Sequence, residues 1–207
     1  MLFARQIVLV VAEDFNSTTA RLSCLEDGKV VCRDILVNLG RNGLAWGLGS
    51  VKIRHDLNEP VKKEGDGKAP AGVFPLTKVF GYVTKPKNLK MPYIKATADL
   101  MCIDDEASPN YNRIVYNDKK AKSFEKMRRE DGLYRLGVVV GHNQKGIKGR
   151  GSCIFLHIER SNGVPTAGCT SMAYKHLRQI VQWLDMSKEP ILIQVTQKYL
   201  PEVAKLP

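Results

Sequence analysis

A cysteine and an upstream histidine are the side chains of this 207-residue chain best suited to covalent chemistry. Cys169 follows Gly168 in a turn-like stretch, and a helical apolar period starts at Ser171, so the cysteine is predicted to lie at a helix N-terminus. Unpaired N–H groups and a partial positive charge at such a terminus favour thiolate over thiol. His157 ends an apolar, strand-like run and is the candidate general base for this thiol.

The backbone around the cysteine predicts a place for a reacting carbonyl. Gly168 lets the chain approach closely, and the amides of Gly168, Cys169 and Thr170 are expected to form an oxyanion hole. Simpler interpretations stay open, because a single cysteine is often a small buried hydrophobe and a histidine at a strand end is often structural. His142, which precedes a Gly- and Lys-rich loop, is the alternative base.

Several sequence blocks resemble one known enzyme family. The run Thr166-Ala167-Gly168-Cys169, preceded by His157, is similar to the active-site signature of the YkuD-type L,D-transpeptidases, a histidine followed by Ser/Thr-x-Gly-Cys. Further blocks in the same order extend the resemblance over nearly the whole chain: Gly40-Arg41-Asn42-Gly43 with Trp46-Gly47, residues 63–67, residues 70–74, Asp104-Asp105 with Tyr111-Asn112, His142-Asn143, and Gly151-Ser152 with Ile154-Phe155.

Two positions depart from the best-known members of that family. Those members carry a histidine where this chain has Ala167, and Asn-Arg where it has Ser171-Met172. An arginine that helps to hold the substrate or the loop in those members is therefore not supplied at that position here. The departures bear on substrate choice more than on the chemistry.

The resemblance implies a cysteine acyltransferase that acts on peptidoglycan muropeptides, and no cofactor is expected. Cys169 would attack the bond between a diamino acid and the terminal D-alanine of a stem tetrapeptide, with Cys169, His157 and Gly168 as the catalytic residues. The side-chain amine of another stem would then resolve the thioester into a cross-link. Substrate-binding positions are expected at Thr166, Thr170, His142, Asn143, Ser152 and Asp105, the last of which would face the acceptor ammonium.

Two other functions stay open at the level of sequence. With water as the acceptor the enzyme would be an L,D-carboxypeptidase or another cysteine hydrolase of muropeptides. Alternatively, the chain could be a non-catalytic domain that binds the wall or another polyanion, because its net charge of +11 attracts polyanions in general. No nucleic-acid-binding motif is recognisable, so nucleic acid is not expected as a partner.

The compartment follows from the resemblance rather than from a targeting signal. No run approaches the ~20 apolar residues of a membrane-spanning helix. The apolar residues 7–12 are too few for a confident signal-peptide core. The resemblance implies the periplasm or the cell envelope, and a cytoplasmic location stays open.

The five cysteines are an odd count. Cys24 and Cys32 flank the Asp27-Gly28 turn and could face each other across a hairpin, so a disulfide and two free thiols are both open, and free thiols are favoured. Cys102 and Cys153 lie in apolar runs and are predicted to be core residues. No Cys or His cluster has zinc-site spacing, so no metal is expected.

Residues 1–207 are predicted to form a single, mainly β domain with a few helices. The resemblance implies a YkuD-like catalytic domain with a sandwich or barrel-like core. Residue pattern predicts strands at residues 6–12, 20–25, 30–39, 72–79, 101–103, 136–140, 153–158 and 190–196. It predicts helices at residues 121–130 and from residue 171 to about residue 185.

Overall fold

A computed structural model describes residues 6–205, which form a mainly β fold with two short α-helices, as the sequence predicted. The strands are β1 Gln6–Ala12, β2 Thr19–Glu26, β3 Lys29–Asn38, β4 Leu44–Trp46, β5 Ala69–Gly81, β6 Tyr93–Lys95, β7 Leu100–Ile103, β8 Ile114–Tyr116, β9 Phe124–Lys126, β10 Leu136–Val140, β11 Phe155–Ile158, β12 Thr170–Met172 and β13 Ile191–Thr196. The helices are α1 Tyr174–Trp183 and α2 Leu200–Val203, and two 3₁₀ turns occupy Met186–Lys188 and Gln197–Tyr199.

Eight of the strands close into a ring. Their order is β10, β11, β12, β3, β2, β1, β13 and β5, and β5 pairs again with β10. Closure of this kind removes the free edges that an open sheet exposes. The barrel-like core implied by the resemblance is therefore confirmed. Strands β4 and β6 add to this ring as parallel neighbours of β5.

The barrel interior is filled by the inward faces of the strands. Buried and half-buried residues alternate along β1, so that Val8, Val10 and Ala12 point into the core. Helix α1 packs against β10 and β11 and buries Leu177 and Ile180 on one face. This helix thereby supports the strand that carries the candidate histidine from behind.

A small second sheet packs against the barrel beside β11. It has the order β8, β7, β9 and joins the barrel through a separate apolar cluster. In that cluster the rings of Phe80, Tyr134 and Phe155 meet edge to face, with centroids 5.2–5.8 Å apart. The contact also brings Glu125 of β9 within hydrogen-bonding distance of Tyr134, which lies just before β10.

Two helix predictions need correction. The charged stretch 121–130 contains strand β9 instead of a helix, because its residues pair with β7 and bury Met127. The apolar period that begins at Ser171 becomes helical only at Tyr174. Residues Thr170–Met172 form β12, which lies parallel to β11, so Cys169 precedes a strand and not a helix. In both places pairing with a neighbouring strand outweighs local propensity.

Four of the five cysteines are paired, contrary to the expectation of free thiols. Cys24 and Cys32 face each other across the β2–β3 hairpin and form a disulfide. Cys102 and Cys153, which were predicted to be simple core residues, form a second one. Their thiols meet because the small sheet docks against the segment that precedes β11, a contact that spacing along the chain does not reveal. Cys169 is the one free cysteine among residues 6–205.

Between residues 6 and 205, none of the helices combines the length and the apolar character that crossing a bilayer requires.

Candidate active site

A cleft of about 460 Å³ opens between the barrel and the small sheet. Five of the predicted site residues border it, namely Cys169, His157, Gly168, Thr166 and Ser152. The other four, Thr170, His142, Asn143 and Asp105, do not. The structure therefore brings the candidate nucleophile and the candidate base together on one concave surface.

His157 lies in the middle of β11, between β10 and β12. Its backbone is opposite Gly137 on one side and Ser171 on the other, and only 6% of the residue is exposed. The ring packs edge to face on Tyr134, with centroids 5.2 Å apart. Nδ1 lies 2.8 Å from the carbonyl oxygen of Ile158. Because a carbonyl can only accept, Nδ1 carries the proton and Nε2 keeps its lone pair for a substrate or a thiol.

Cys169 lies beside the neighbouring strand β11, just before β12 begins. Its Sγ accepts a hydrogen bond from the Phe155 amide at 3.4 Å and donates to the Cys153 carbonyl at 3.5 Å. Phe155 and His157 are two residues apart on β11, so both point to the same side of the sheet. The sulfur and the imidazole consequently border the same cleft.

The thiol is neutral in the resting site, which corrects the expectation of a lowered pKa. Burial raises the pKa of Cys169 to about 12, and the nearby carboxylate of Glu125 contributes to the rise. Burial lowers the pKa of His157 to about 4. The helix dipole that the sequence suggested does not reach the sulfur, because β12 lies between Cys169 and α1. The pair therefore rests as thiol and neutral imidazole.

The buried histidines give the protein a defined acid sensitivity. His142 and His157 both have a pKa lowered to about 4 by burial, against 6.5 when exposed. The unfolded chain then binds more protons between pH 6.5 and 4, so stability present above pH 6.5 is lost as the pH falls. We expect a loss of a few kcal/mol for the two histidines together. Urea titrations across this range measure it, and a His157→Gln variant that keeps the wild-type pH slope would contradict it.

Gly168 has a conformation that side chains rarely adopt. Its φ is +153°, and a β-carbon there would lie 3.1 Å from the carbonyl oxygen of Lys68. Its amide donates to Oγ1 of Thr166 at 3.0 Å, and that hydroxyl in turn donates to the carbonyl of Cys169 at 2.7 Å. The Gly168 amide is thus engaged within the loop and is not available to an oxyanion, contrary to the expectation above.

Thr166 stabilises the loop that carries the nucleophile Cys169. Its backbone also pairs with Leu39 and Arg41, which anchors the loop to the barrel. We expect Thr166→Val to lose about 1–2 kcal/mol of stability, because the Gly168 amide and the Cys169 carbonyl lose their partner. Turnover should fall together with it, because the sulfur is then less well placed. Thr166→Ser is the matched control and should retain both properties in denaturation and rate measurements; a serine variant as impaired as the valine variant would contradict the role of the hydroxyl.

The alternative base, His142, has both ring nitrogens occupied. Nδ1 accepts from the Leu48 amide at 3.2 Å, and Nε2 donates to the carbonyl of Arg150 at 2.8 Å. Asn143 ties together the loop that follows, through hydrogen bonds to Ile147 and Gly151. Both residues hold the loop that leads to Ser152, and neither borders the cleft.

Of three further predicted substrate-binding residues, one borders the cleft and two do not. Ser152 borders the cleft, where its hydroxyl donates to the carboxylate of Glu64 at 2.7 Å. Thr170 is buried, and its hydroxyl donates to Gln194 at 2.7 Å. Asp105 accepts from the amides of Ala107 and Lys122 and shapes a turn. Its neighbour Asp104 borders the cleft in its place.

Several residues that border the cleft were not predicted from the sequence to be site residues. Tyr134 contacts His157 and donates to the carboxylate of Glu125, whose pKa is raised by burial. Lys62 is a buried lysine, a rare feature that hydropathy does not reveal. Further charged groups that border the cleft are Arg41, Glu64, Asp104, Arg129 and Arg160. The sequence offers only weak signals for these residues. Tyr134 stands just before strand β10, and Lys62 is two positions before Glu64.

One known family matches most of the chain. The family model YkuD, described as the L,D-transpeptidase catalytic domain, matches residues 13–193. The chain belongs to the YkuD family. The YkuD domain spans every strand described above from β2 to β12, and therefore the whole of the cleft.

Solved structures to which this chain is similar include two crystal structures of the helical cell shape determining protein Pgp2 from Campylobacter jejuni, one of them a lysine-to-alanine variant. Both are 16% identical to this chain, with TM-scores of 0.40 and 0.39. The match covers 92% of this chain and 46% of each of those chains, so this chain spans about half the length of the structures it matches. Among curated proteins, no sequence matches significantly.

Within residues 6–205, the His, Cys, Asp and Glu side chains form no group that could hold a metal ion.

Proposed function

We propose that this YkuD domain is an L,D-transpeptidase that acts on the tetrapeptide stems of peptidoglycan through a thioester on Cys169. The observation that carries the proposal is the shared cleft of Cys169 and His157, in which the hydrogen bond from Nδ1 to Ile158 leaves Nε2 free to accept a proton. A general base beside a nucleophile is the minimum arrangement for covalent acyl transfer. Family membership supports the choice of this chemistry over an inert cysteine.

The first half-reaction forms the acyl-enzyme. The Cys169 sulfur attacks the carbonyl carbon of the bond that precedes terminal D-alanine, the thiol proton moves to Nε2 of His157, and the carbonyl electron pair moves onto oxygen. Collapse of this intermediate breaks the C–N bond, and His157 returns the proton to the departing D-alanine amine. Because thiol and imidazole are both neutral at rest, the attack requires that the thiol proton move to His157.

The second half-reaction forms the cross-link. A side-chain amine of another stem attacks the thioester, gives its proton to His157, and expels the Cys169 sulfur, which takes that proton back. The amide of Cys169 is the proposed donor to the oxyanion in both halves, since Thr166 already engages the amide of Gly168. Water in place of the amine would give hydrolysis by the same steps.

The charges around the cleft suit a stem peptide, which carries both carboxylates and an amine. Three arginines border it: Arg129 lies near His157, Arg41 donates its backbone amide to Thr166 in the loop of Gly168, and Arg160 also lines the cleft. These groups are proposed to replace the arginine that better-known members carry after the cysteine. Glu64 and Asp104 are the acidic groups available to an ammonium, and Asp104 takes over the role first expected of Asp105.

Residues 1–207 are proposed to act as one catalytic domain in the cell envelope. The two disulfides fit a compartment where thiols are oxidised, since such bonds are rare in the reducing cytoplasm. An envelope location also gives the domain access to its proposed polymer.

The proposed function is tested by incubating the protein with a purified disaccharide-tetrapeptide and analysing the products by mass spectrometry. We expect free D-alanine, a cross-linked dimer, and an acyl adduct that maps to the peptide containing Cys169. If a tripeptide forms without any dimer, the enzyme is a hydrolase and not a transpeptidase. Unchanged substrate and an unmodified Cys169 would contradict both and leave a non-catalytic wall-binding domain.

A further inference from the structure

The resting site lacks the positive charge that the sequence analysis assigned to a helix terminus. Cys169 is followed by a strand, and the nearby carboxylate of Glu125 raises the pKa of its thiol further. An enzyme that forms an anionic sulfur and an anionic carbonyl oxygen here needs a compensating cation close to both. The cleft contains one that is buried, and its surroundings hold it in place.

That cation is Lys62. The residue is only 3% exposed, yet it borders the cleft. Its aliphatic stem lies against Gly151, where an added β-carbon would meet Cε at 3.0 Å. A β-carbon on Gly168 would lie 3.9 Å from Nζ. The ammonium therefore stands next to the turn that presents Cys169, and the absence of a side chain at Gly151 makes room for its aliphatic stem.

The hydrogen bonds of Lys62 leave one proton for the cleft. Nζ donates to the carbonyl of Lys63 at 2.9 Å and to the carboxylate of Asp66 at 2.5 Å. Asp66 is held in turn by the amides of Lys63 and Lys68. An ammonium has three donors, and no third acceptor faces this one within residues 6–205. These hydrogen bonds orient the ammonium before charge develops nearby, so little reorganisation is needed.

We propose that Lys62 is the electrostatic partner of Cys169, whose remaining N–H stabilises the sulfur and the carbonyl oxygen as they become anionic. The inference rests on the proposed function, since it assumes that Cys169 is the nucleophile. The thiol proton goes to His157, so Lys62 takes no part in the proton transfer. The ammonium opposes Glu125, which stands near the same sulfur and disfavours negative charge there.

Alkylation of Cys169 by iodoacetamide tests the pairing without any peptide substrate. With both disulfides intact, this residue is the free thiol available to the reagent. Removal of a unit charge at this range should slow alkylation of Lys62→Met at pH 8 by roughly tenfold or more. Lys62→Arg should react within about threefold of wild type, because it keeps the charge. Asp66→Asn should react faster than wild type, since it removes the counter-charge and leaves the ammonium.

The control is Lys63→Gln, which removes an exposed charge from the neighbouring residue and should react as wild type does. A folded Lys62→Met/Asp66→Asn variant removes the ion pair as a unit and should be as slow as Lys62→Met, which guards against misfolding of the single variant. Equal alkylation rates in wild type, Lys62→Met and the double variant would overturn the inference.

Turnover separates an electrostatic role from simple substrate binding. For Lys62→Met we expect kcat to fall by roughly 10²-fold, as when one oxyanion donor is lost, with KM little changed. A raised KM with unchanged kcat and unchanged alkylation would overturn the inference in favour of a binding role. If wild type forms no acyl-enzyme, the proposed function fails, whereas the alkylation comparison still decides whether Lys62 governs the thiol.

Discussion

Replacement of either Cys169 or His157 should abolish turnover of the disaccharide-tetrapeptide. We expect Cys169→Ala and His157→Gln each to lose roughly 10⁵-fold or more in kcat, the scale seen when a nucleophile or its base is removed from an acyl-transfer enzyme. The reason lies in the neutral resting pair. With the pKa of the thiol at about 12, almost no thiolate exists near pH 7, so the attack depends on transfer of the proton to Nε2.

The double variant gives the sharper result. Groups that act in one step are not additive, so Cys169→Ala/His157→Gln should be no slower than the slower single variant. Quench-flow measurement of D-alanine release, followed by mass spectrometry of the protein, gives both the rate and the adduct. His176→Gln, on helix α1 and away from the cleft, is the matched histidine control and should keep wild-type turnover. Additive losses, or near-normal turnover in His157→Gln, would show that another group takes the proton.

The barrel strands were predictable because their residue pattern is strong. Along β1, buried residues alternate with half-buried ones, as expected for a strand. The Asp27-Gly28 turn between β2 and β3 is typical of a hairpin, and the structure confirms these strands. The β-branched run of β10 was placed at its correct bounds. What the sequence could not show is the pairing of β10 with β5, which closes the ring over a long stretch of chain.

The immediate surroundings of the sulfur were less predictable than its identity. Spacing singled out Cys169 and His157, but the environment that sets their pKa comes from distant segments. Glu125 was hidden in a stretch with a helical pattern, and it reaches the cleft only because β9 pairs with β7. Lys62 is one of many lysines, and only the folded chain buries it. Local propensity predicts the secondary structure of a segment. The pKa of a side chain depends instead on the charged groups that other segments bring next to it.

Loss of the Cys102–Cys153 disulfide should impair both stability and catalysis. The bond joins residues 51 positions apart, so its removal as Cys102→Ala/Cys153→Ala should cost up to about 4 kcal/mol in the free energy of unfolding on loop-closure grounds. It also ties β7 of the small sheet to the segment before β11. The Cys153 carbonyl accepts from the sulfur of Cys169, so slack in this segment moves the nucleophile directly.

The hairpin disulfide supplies the comparison that separates the two effects. Cys24 and Cys32 close a loop of only 8 positions, so Cys24→Ala/Cys32→Ala should cost about 2–3 kcal/mol and leave kcat unchanged, because the hairpin does not border the cleft. Urea unfolding and initial rates, measured well below the melting temperature of both variants, provide the two readouts. Equal kcat in the two folded variants would mean that the Cys102–Cys153 bond only stabilises the fold. A selective fall in kcat would mean that the small sheet positions the nucleophile, in which case the cleft acts as one unit across both sheets.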